Sequence, residues 1–272
     1  LLAVAAAPLL SQPQAPPPVL RAMQDELARA MGGLKLKDQP APYYGSCAVI
    51  DARQSRIQAS LGAAVTDQSS RMRLMRVDVR IGDYAFDSSR FIAPGLSGGP
   101  FGSIGMLPVD DDDLAMRRQI WLSADATYKS SVQTFSRKKA AFQNRNDTDP
   151  IPDFSKETPV EHIETVVTPT APVPATWSDV VRQVSDIVKG PDIVSSSAQL
   201  TVVEGTRYFV SSEGFRTVAP IRAATLRVNA EVLADDGMSL TDGLTVEAGS
   251  LDDMPKLDDL LARARLAKDR LL

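Results

Sequence analysis

Apolar and polar positions alternate with two different periods along this chain, and the change of period marks its elements. Near the start, Val19, Leu20, Met23, Leu27 and Met31 recur at three- and four-residue steps, and Gly32-Gly33 follows. That spacing predicts an amphipathic helix with a glycine stop, one face of which packs on a sheet. After Pro40-Ala41-Pro42 the period becomes two: residues 46–51, 56–60 and 71–81 read as strands, and Gly82-Asp83 turns the last toward residues 84–86. In the third strand the apolar parity changes between Leu74 and Met75, which predicts a bulge or strong twist there.

The same strand, turn, strand pattern is written twice, over residues 47–81 and 198–232. In each copy a short apolar strand passes through a polar turn to another, and a Ser-x-Gly stop follows, Ser60-Leu61-Gly62 in one and Ser212-Glu213-Gly214 in the other. A longer strand then opens at an arginine. In the second copy Glu204-Gly205 is the expected turn between residues 200–203 and 207–210, and the long strand puts Ala224, Leu226, Val228, Ala230 and Val232 on one face. These patterns predict an α+β fold with antiparallel or mixed sheets, built from two related β-units and long packing helices.

Between the units, Leu114, Trp121, Tyr128, Phe135 and Phe142 recur at every seventh position, predicting a helix over residues 111–142 with one large-residue stripe toward the core. A second, short helix is expected over residues 178–189, a strand near residues 244–248, and a last helix with Leu257, Leu260, Leu261 and Ala264 facing inward, introduced by Asp252 and Pro255. The division that follows is a leader, 1–18; a first lobe, 19–145; a proline-rich connector, 146–176; and a second lobe, 177–272. The apolar, alanine-rich residues 1–10 read as the tail of a secretory signal, giving export to a periplasmic or extracellular location, with a cytoplasmic location as the alternative. A run of about ten apolar residues is too short to span a bilayer.

Composition narrows the chemistry. The chain has 272 residues, a net charge of −4, one cysteine and one histidine. It presents no basic block interleaved with aromatics, so nucleic acid is not an expected partner. Cys47 alone forms no internal disulfide and reads as a small packed side chain. Residues 94–108 hold five glycines but no Gly-Lys-Ser/Thr follows, so they read as a mobile surface loop rather than a phosphate cradle. Asp110-Asp111-Asp112-Asp113 lacks the alternating ligands and central glycine of a calcium loop, and reads as the acidic start of the long helix. His162, flanked by Glu161 and Glu164, supplies too few ligands for zinc and reads as exposed. No metal or cofactor is therefore expected on this chain, and no catalytic residue.

Three stretches, in order, resemble the TldD/PmbA family of zinc metallopeptidases. They are Pro42-Tyr43-Tyr44 with Ala59-Ser60-Leu61-Gly62 and residues 77–84, then Arg117-Arg118-Gln119-Ile120-Trp121-Leu122, then residues 207–214, where Ser211 replaces the asparagine of the family's Asn-Ser-x-Gly signature. The resemblance implies an N-terminal-domain-like scaffold that helps enclose a peptide substrate and contributes to dimerisation, as a homodimer or with a relative. It also implies a C-terminal peptidase domain carrying His-Glu-x-x-x-His and zinc. That motif does not occur in this sequence, so no metal ligand carries over. A stand-alone, non-catalytic binding or assembly module is the alternative. The residues singled out for turn geometry or interface contacts are Gly62, Arg80, Ser212, Glu213, Gly214 and Arg216. If a further domain is missing, an apolar patch is expected on Leu257, Leu260 and Leu261 and on part of the second sheet.

Overall fold

The computed structural model describes residues 16–91, 104–143, 151–168 and 172–272. The leader's first 15 residues and most of the glycine-rich segment lie outside them. The chain order is α1 (Pro18–Gly33), β1 (Pro42–Ser60), β2 (Ala63–Ile81), β3 (Ile104–Leu107), α2 (Asp113–Phe142), β4 (Glu161–Ile163), α3 (Thr176–Ile187), β5 (Ile193–Ser211), β6 (Arg216–Leu233), β7 (Ser239–Ala248) and α4 (Leu257–Leu271). The fold is α+β, as the alternating periods predict.

The strands are longer and fewer than their apolar patches imply. β1, β5 and β2 each run 19 residues without a break. The expected turn at Glu204-Gly205 is instead the middle of β5, opposite Arg53 and Ala52 of β1. Gly205 is needed there for space, because a Cβ would fall 2.6 Å from the Cα of Ala52. The Ser-x-Gly stops do turn the chain, and the next strand starts at once rather than at the later arginine. Leu61 (φ 49°) and Gly62 (φ +83°) form a two-residue left-handed turn between β1 and β2. The end of the glycine-rich segment, expected as loop, is the short strand β3, and three residues of the connector form β4, parallel to β6.

Both β-units belong to one seven-stranded sheet, ordered β3-β2-β1-β5-β6-β4, with β7 also on β6. The seam is the antiparallel β1–β5 pair, from Ser46↔Ser211 to Ala59↔Ala198. Opposed residues share a face, so the register assigns every side chain of the central strands to one of two surfaces. All four helices pack on one of them. α1 and α2 cover Cys47, Val49, Val77, Val79, Tyr208 and Val210, while α3 and α4 cover Ile57, Ala59, Leu200, Leu226 and Val228. The two apolar clusters thus divide across the strands and not between the two sequence halves.

A polar belt separates them on that same face. Asp51 accepts from Arg71 Nε at 2.8 Å and from Arg73 Nε at 2.7 Å. Arg73, only 2% exposed, also reaches Asp111 at 2.5 Å and the Pro108 carbonyl at 2.9 Å. Thr206, opposite Asp51, holds the connector through both polar groups of the Val167 backbone, at 2.8 and 3.0 Å. This belt accounts for the parity change in β2. The β1–β2 register has no shift at Leu74/Met75, and Arg73 occupies the buried face while Leu74 points away from it. The expected bulge is absent because a paired arginine takes the apolar position.

The long helix corrects a second expectation. Its buried face is Met116, Ile120, Ala124, Tyr128 and Val132, whereas Leu114 is 79% exposed. A seven-residue repeat slips about 20° per heptad on a straight helix. The aromatic series therefore winds from solvent at Leu114, through the core at Tyr128, to the turn after β2, where Phe135 and Phe142 meet Phe86. In the aspartate run, Asp112 caps the helix by accepting from Ala115 N at 3.0 Å, and Asp111 is the partner of Arg73. Glu26 of α1, 1% exposed, ties α1 to α2 through Arg117. At the C-terminal end, Leu260 is fully buried and Leu257 and Leu261 are half-buried, so the expected patch on α4 is consumed by packing within the sheet-and-helix layer. Pro255 does precede that helix, while Asp252 does not cap it; Lys256 occupies the N-cap position.

Burial pushes the Asp51 carboxyl up, but hydrogen bonds from Arg71 and Arg73 outweigh this and hold it below its ordinary value. A depressed folded value stabilises the fold above the unfolded carboxylate range and is lost as pH falls through the folded value. The stability gap between wild type and Asp51→Asn, measured by urea unfolding, is expected to be full above the ordinary carboxylate range and to close as pH falls below it. Arg73→Met leaves the buried Asp51 with Arg71 as its one remaining cation and is expected to cost about 3 kcal/mol in the same assay at neutral pH.

Candidate functional site

Two features of the structure face outward with unusual chemistry: an aromatic, charged cluster at one end of the sheet, and the sheet surface that carries no helix.

The cluster gathers four of the six residues singled out from sequence. Ser212 Oγ accepts from Gly45 N at 3.0 Å, and Ser212 N donates to the Gly45 carbonyl at 2.8 Å, so the second Ser-x-Gly turn is stitched to the start of β1. Glu213 accepts a short hydrogen bond from Tyr84. That bond, chiefly, raises the Tyr84 phenol above its ordinary value. Arg80 pairs with Asp78 at 2.9 Å and stacks on Phe154 at 4.1 Å. Gly214 (φ +96°) completes the turn beside Pro159. Arg216 sits at the rim, paired with Glu161 at 2.7 Å. Gly62 lies at the opposite end of the sheet, where its N–H donates to Ser185 Oγ at 3.1 Å. The two signature-like glycines therefore serve separate turns and build no common site.

Sequence reasoning missed the partners that make this cluster: Tyr43, Asp87, Lys138, Asp153 and Phe154. Tyr43 donates to Asp87 Oδ2 at 2.7 Å, and burial, first, and then that carboxylate raise its phenol. Lys138 is buried and donates to the Asp87 and Ser89 carbonyls at 3.0 and 2.9 Å and to Asp153 at 2.5 Å. Phe154 N bonds the Tyr84 carbonyl at 3.0 Å, and its ring meets Tyr44 edge-on with centroids 4.8 Å apart. A lysine on a long polar helix and an aspartate in a proline-rich segment carry no local signal; only their meeting across the fold does. Each hydrogen bond here goes to another residue of the same network, so the cluster is a clasp that pins residues 151–156 over one end of the open face.

Burial raises the Cys47 thiol to about 12, and it is fully enclosed. His162 is exposed, with Nε2 2.8 Å from Glu164. Among the described residues no group of three or more His, Cys, Asp or Glu is placed to hold a metal. No described helix is long and apolar enough to cross a membrane.

The open face is the larger feature. Cross-strand rows from β2 to β6 read Arg76, Ala48, Phe209, Thr217, then Leu74, Ile50, Arg207, Ala219, then Met72, Ala52, Gly205, Ile221, then Ser70, Gln54, Val203, Ala223. β3 extends the first two with Ile104 and Met106, which are 73% and 64% exposed. A row of Gln68, Arg56, Thr201, Thr225 and one of Thr66, Gln58, Gln199, Arg227 complete the surface. Three consecutive rows are thus mostly apolar on a side with no helix.

The sequence matches no family model and no curated protein. Its fold is similar to those of a proposed modulator of a DNA gyrase from Thermotoga maritima (TM-score 0.46, 9% identity) and another from Bacteroides thetaiotaomicron (TM-score 0.49, 11% identity). It is similar also to TldE from Thermococcus kodakarensis (TM-score 0.45, 10% identity). Each match covers 92% of this chain, against 48%, 48% and 47% of the other. The chain spans about half the length of those structures.

Lys138→Met removes the cation from the clasp, leaving Asp153 with the Asp87 N–H alone and the Asp87 and Ser89 carbonyls without the lysine. An expected loss of about 3–5 kcal/mol in urea unfolding is accompanied by faster tryptic cleavage after Lys156, because the pinned segment is released.

Proposed function

We propose that this chain is the N-terminal scaffold and substrate-enclosing part of a two-part protein of the TldD/PmbA type, whose other part supplies zinc and peptide hydrolysis. The observation that carries this reading is the open face: a sheet with all four helices on one side and three mostly apolar rows on the other. Apolar surface of that continuity is stabilised when a second layer removes it from water. The ordered likeness of residues 42–84, 117–122 and 207–214 to that family supplies the type of partner.

On this reading the division of labour follows from side-chain chemistry. This chain offers a rigid wall, braced by the buried ion network and by the clasp at its end, and the hydrolytic groups belong to the other part. The covering layer is a C-terminal peptidase domain or a homologous subunit, giving a homodimer or a hetero-oligomer. A peptide substrate runs in the cleft between them. On this reading the apolar residues 1–10 support export to the periplasm or beyond, with a cytoplasmic location as the alternative.

Hydroxyl-radical footprinting tests the reading on the longest natural product of the gene and on this chain alone. Oxidation of Met72, Met106 and Phe209 is expected to be several-fold lower in the longer product, with a reading frame that continues past Leu272 into His-Glu-x-x-x-His. A stop codon at that point, or equal oxidation in both, makes the chain a free-standing binding module instead.

A further inference from the structure

Beside the polar belt, on the helix side of the sheet, lies a cavity of about 210 Å³. Its floor is Arg53 and Ser55 of β1 with Val202 and Glu204 of β5, and residues 172–174 of the connector and 250–252 after β7 close over it. Sites for drug-sized ligands run to roughly 300–1,000 Å³, so this one has room for a single small molecule.

The charges on its floor are left unmatched by the fold. Arg53 is half-buried, its Nε is buried without a hydrogen-bond partner, and its Nη1 donates to Ser69 Oγ at 3.3 Å. Asp51, two residues before it on the same face, is taken by Arg71 and Arg73. Glu204, also half-buried, stands opposite Arg53 on one side and Arg222 on the other, and among the described residues it pairs with neither. Asp252 adds a second carboxylate at the exposed rim.

A plain anion in this cavity would meet two carboxylates for one guanidinium, and a plain cation would leave Arg53 unmatched. A zwitterion meets both. Opposed residues of an antiparallel pair have Cβ atoms about 4.5–5.5 Å apart, so the guanidinium and the carboxylate rise side by side. That spacing suits an ammonium and a carboxylate carried on one carbon, and arginine grips a carboxylate through paired N–H donors. The remaining wall, Val202, Val173 and Leu251, is apolar.

We infer that this cavity binds a free α-amino acid with an apolar side chain, its carboxylate on Arg53, its ammonium on Glu204 and its side chain against Val173, Val202 and Leu251. The bound molecule joins the connector and residues 250–252 to the central strands, and so stabilises the fold as its concentration rises.

Isothermal titration of the full-length natural protein at low salt, with L-valine, L-leucine and L-methionine as probes, is expected to show saturable binding of at least one. On wild type, the amide of that amino acid lacks the carboxylate and its deaminated acid lacks the ammonium. Each is expected to bind roughly tenfold or more weakly, the loss of one charge-assisted hydrogen bond. Arg53→Met and Glu204→Gln are expected to weaken the amino acid by a similar factor, and Arg53→Met also to abolish the preference for amino acid over amide. Three results overturn the proposal: no saturable binding of any probe, an amide or deaminated acid that binds as well as the amino acid, or binding that survives both substitutions. The analogue comparison is made on wild type, so it decides the matter even where a variant fails to fold. The cavity lies on the opposite side of the sheet from the open face, so neither outcome bears on the scaffold reading.

Discussion

The antiparallel pairing of β1 with β5 is the constraint on which the rest of the structure depends. It turns two hairpins into one sheet and carries both apolar clusters on the same pair of long strands. Its middle is polar: Asp51 and Thr206 face each other there, one holding Arg71 and Arg73, the other holding the connector. Burying an arginine at that point is tolerated because every strong donor it offers is directed at a carboxylate or a carbonyl. On the reverse side of the same register, Gly205 lets Ala52 approach, which keeps the strands continuous where a side chain would part them.

The helices were legible from apolar spacing because each buries one stripe against a sheet. α1 begins at Pro18 and ends with Gly33, and α4 begins at Leu257, as the periodicity indicates. The long strands were not, since a polar belt on the buried side imitates a turn. Ser55, Arg53 and Glu204 look like loop chemistry in one dimension and are strand interior in three. A β-strand shows its two faces by alternation only when one is uniformly apolar; here polar residues cross the buried face and apolar residues cross the open one.

The candidate site shows the same contrast. Ser212, Glu213 and Gly214 stood out as a turn, and they form one, joined to Gly45 and Tyr84. Lys138 and Asp153, which hold the clasp, have nothing in their neighbours to distinguish them. The open face was likewise invisible, because Ile50 and Phe209 merge in sequence with apolar neighbours of the buried face, Met72 and Ile221 sit beside arginines, and the four become a patch only through the register.

The seam also sets an order of events during synthesis. The hairpins β1–β2 and β5–β6 close locally, but the bond from Gly45 to Ser212 joins residues 167 positions apart. Long-range strand pairing is slow relative to hairpin closure. While the ribosome makes the intervening residues, the first hairpin waits with the whole edge of β1 unsatisfied, a template for any other strand. A nascent chain of this protein therefore spends its most vulnerable period half built, and holding that edge apart from other strands is work for a chaperone.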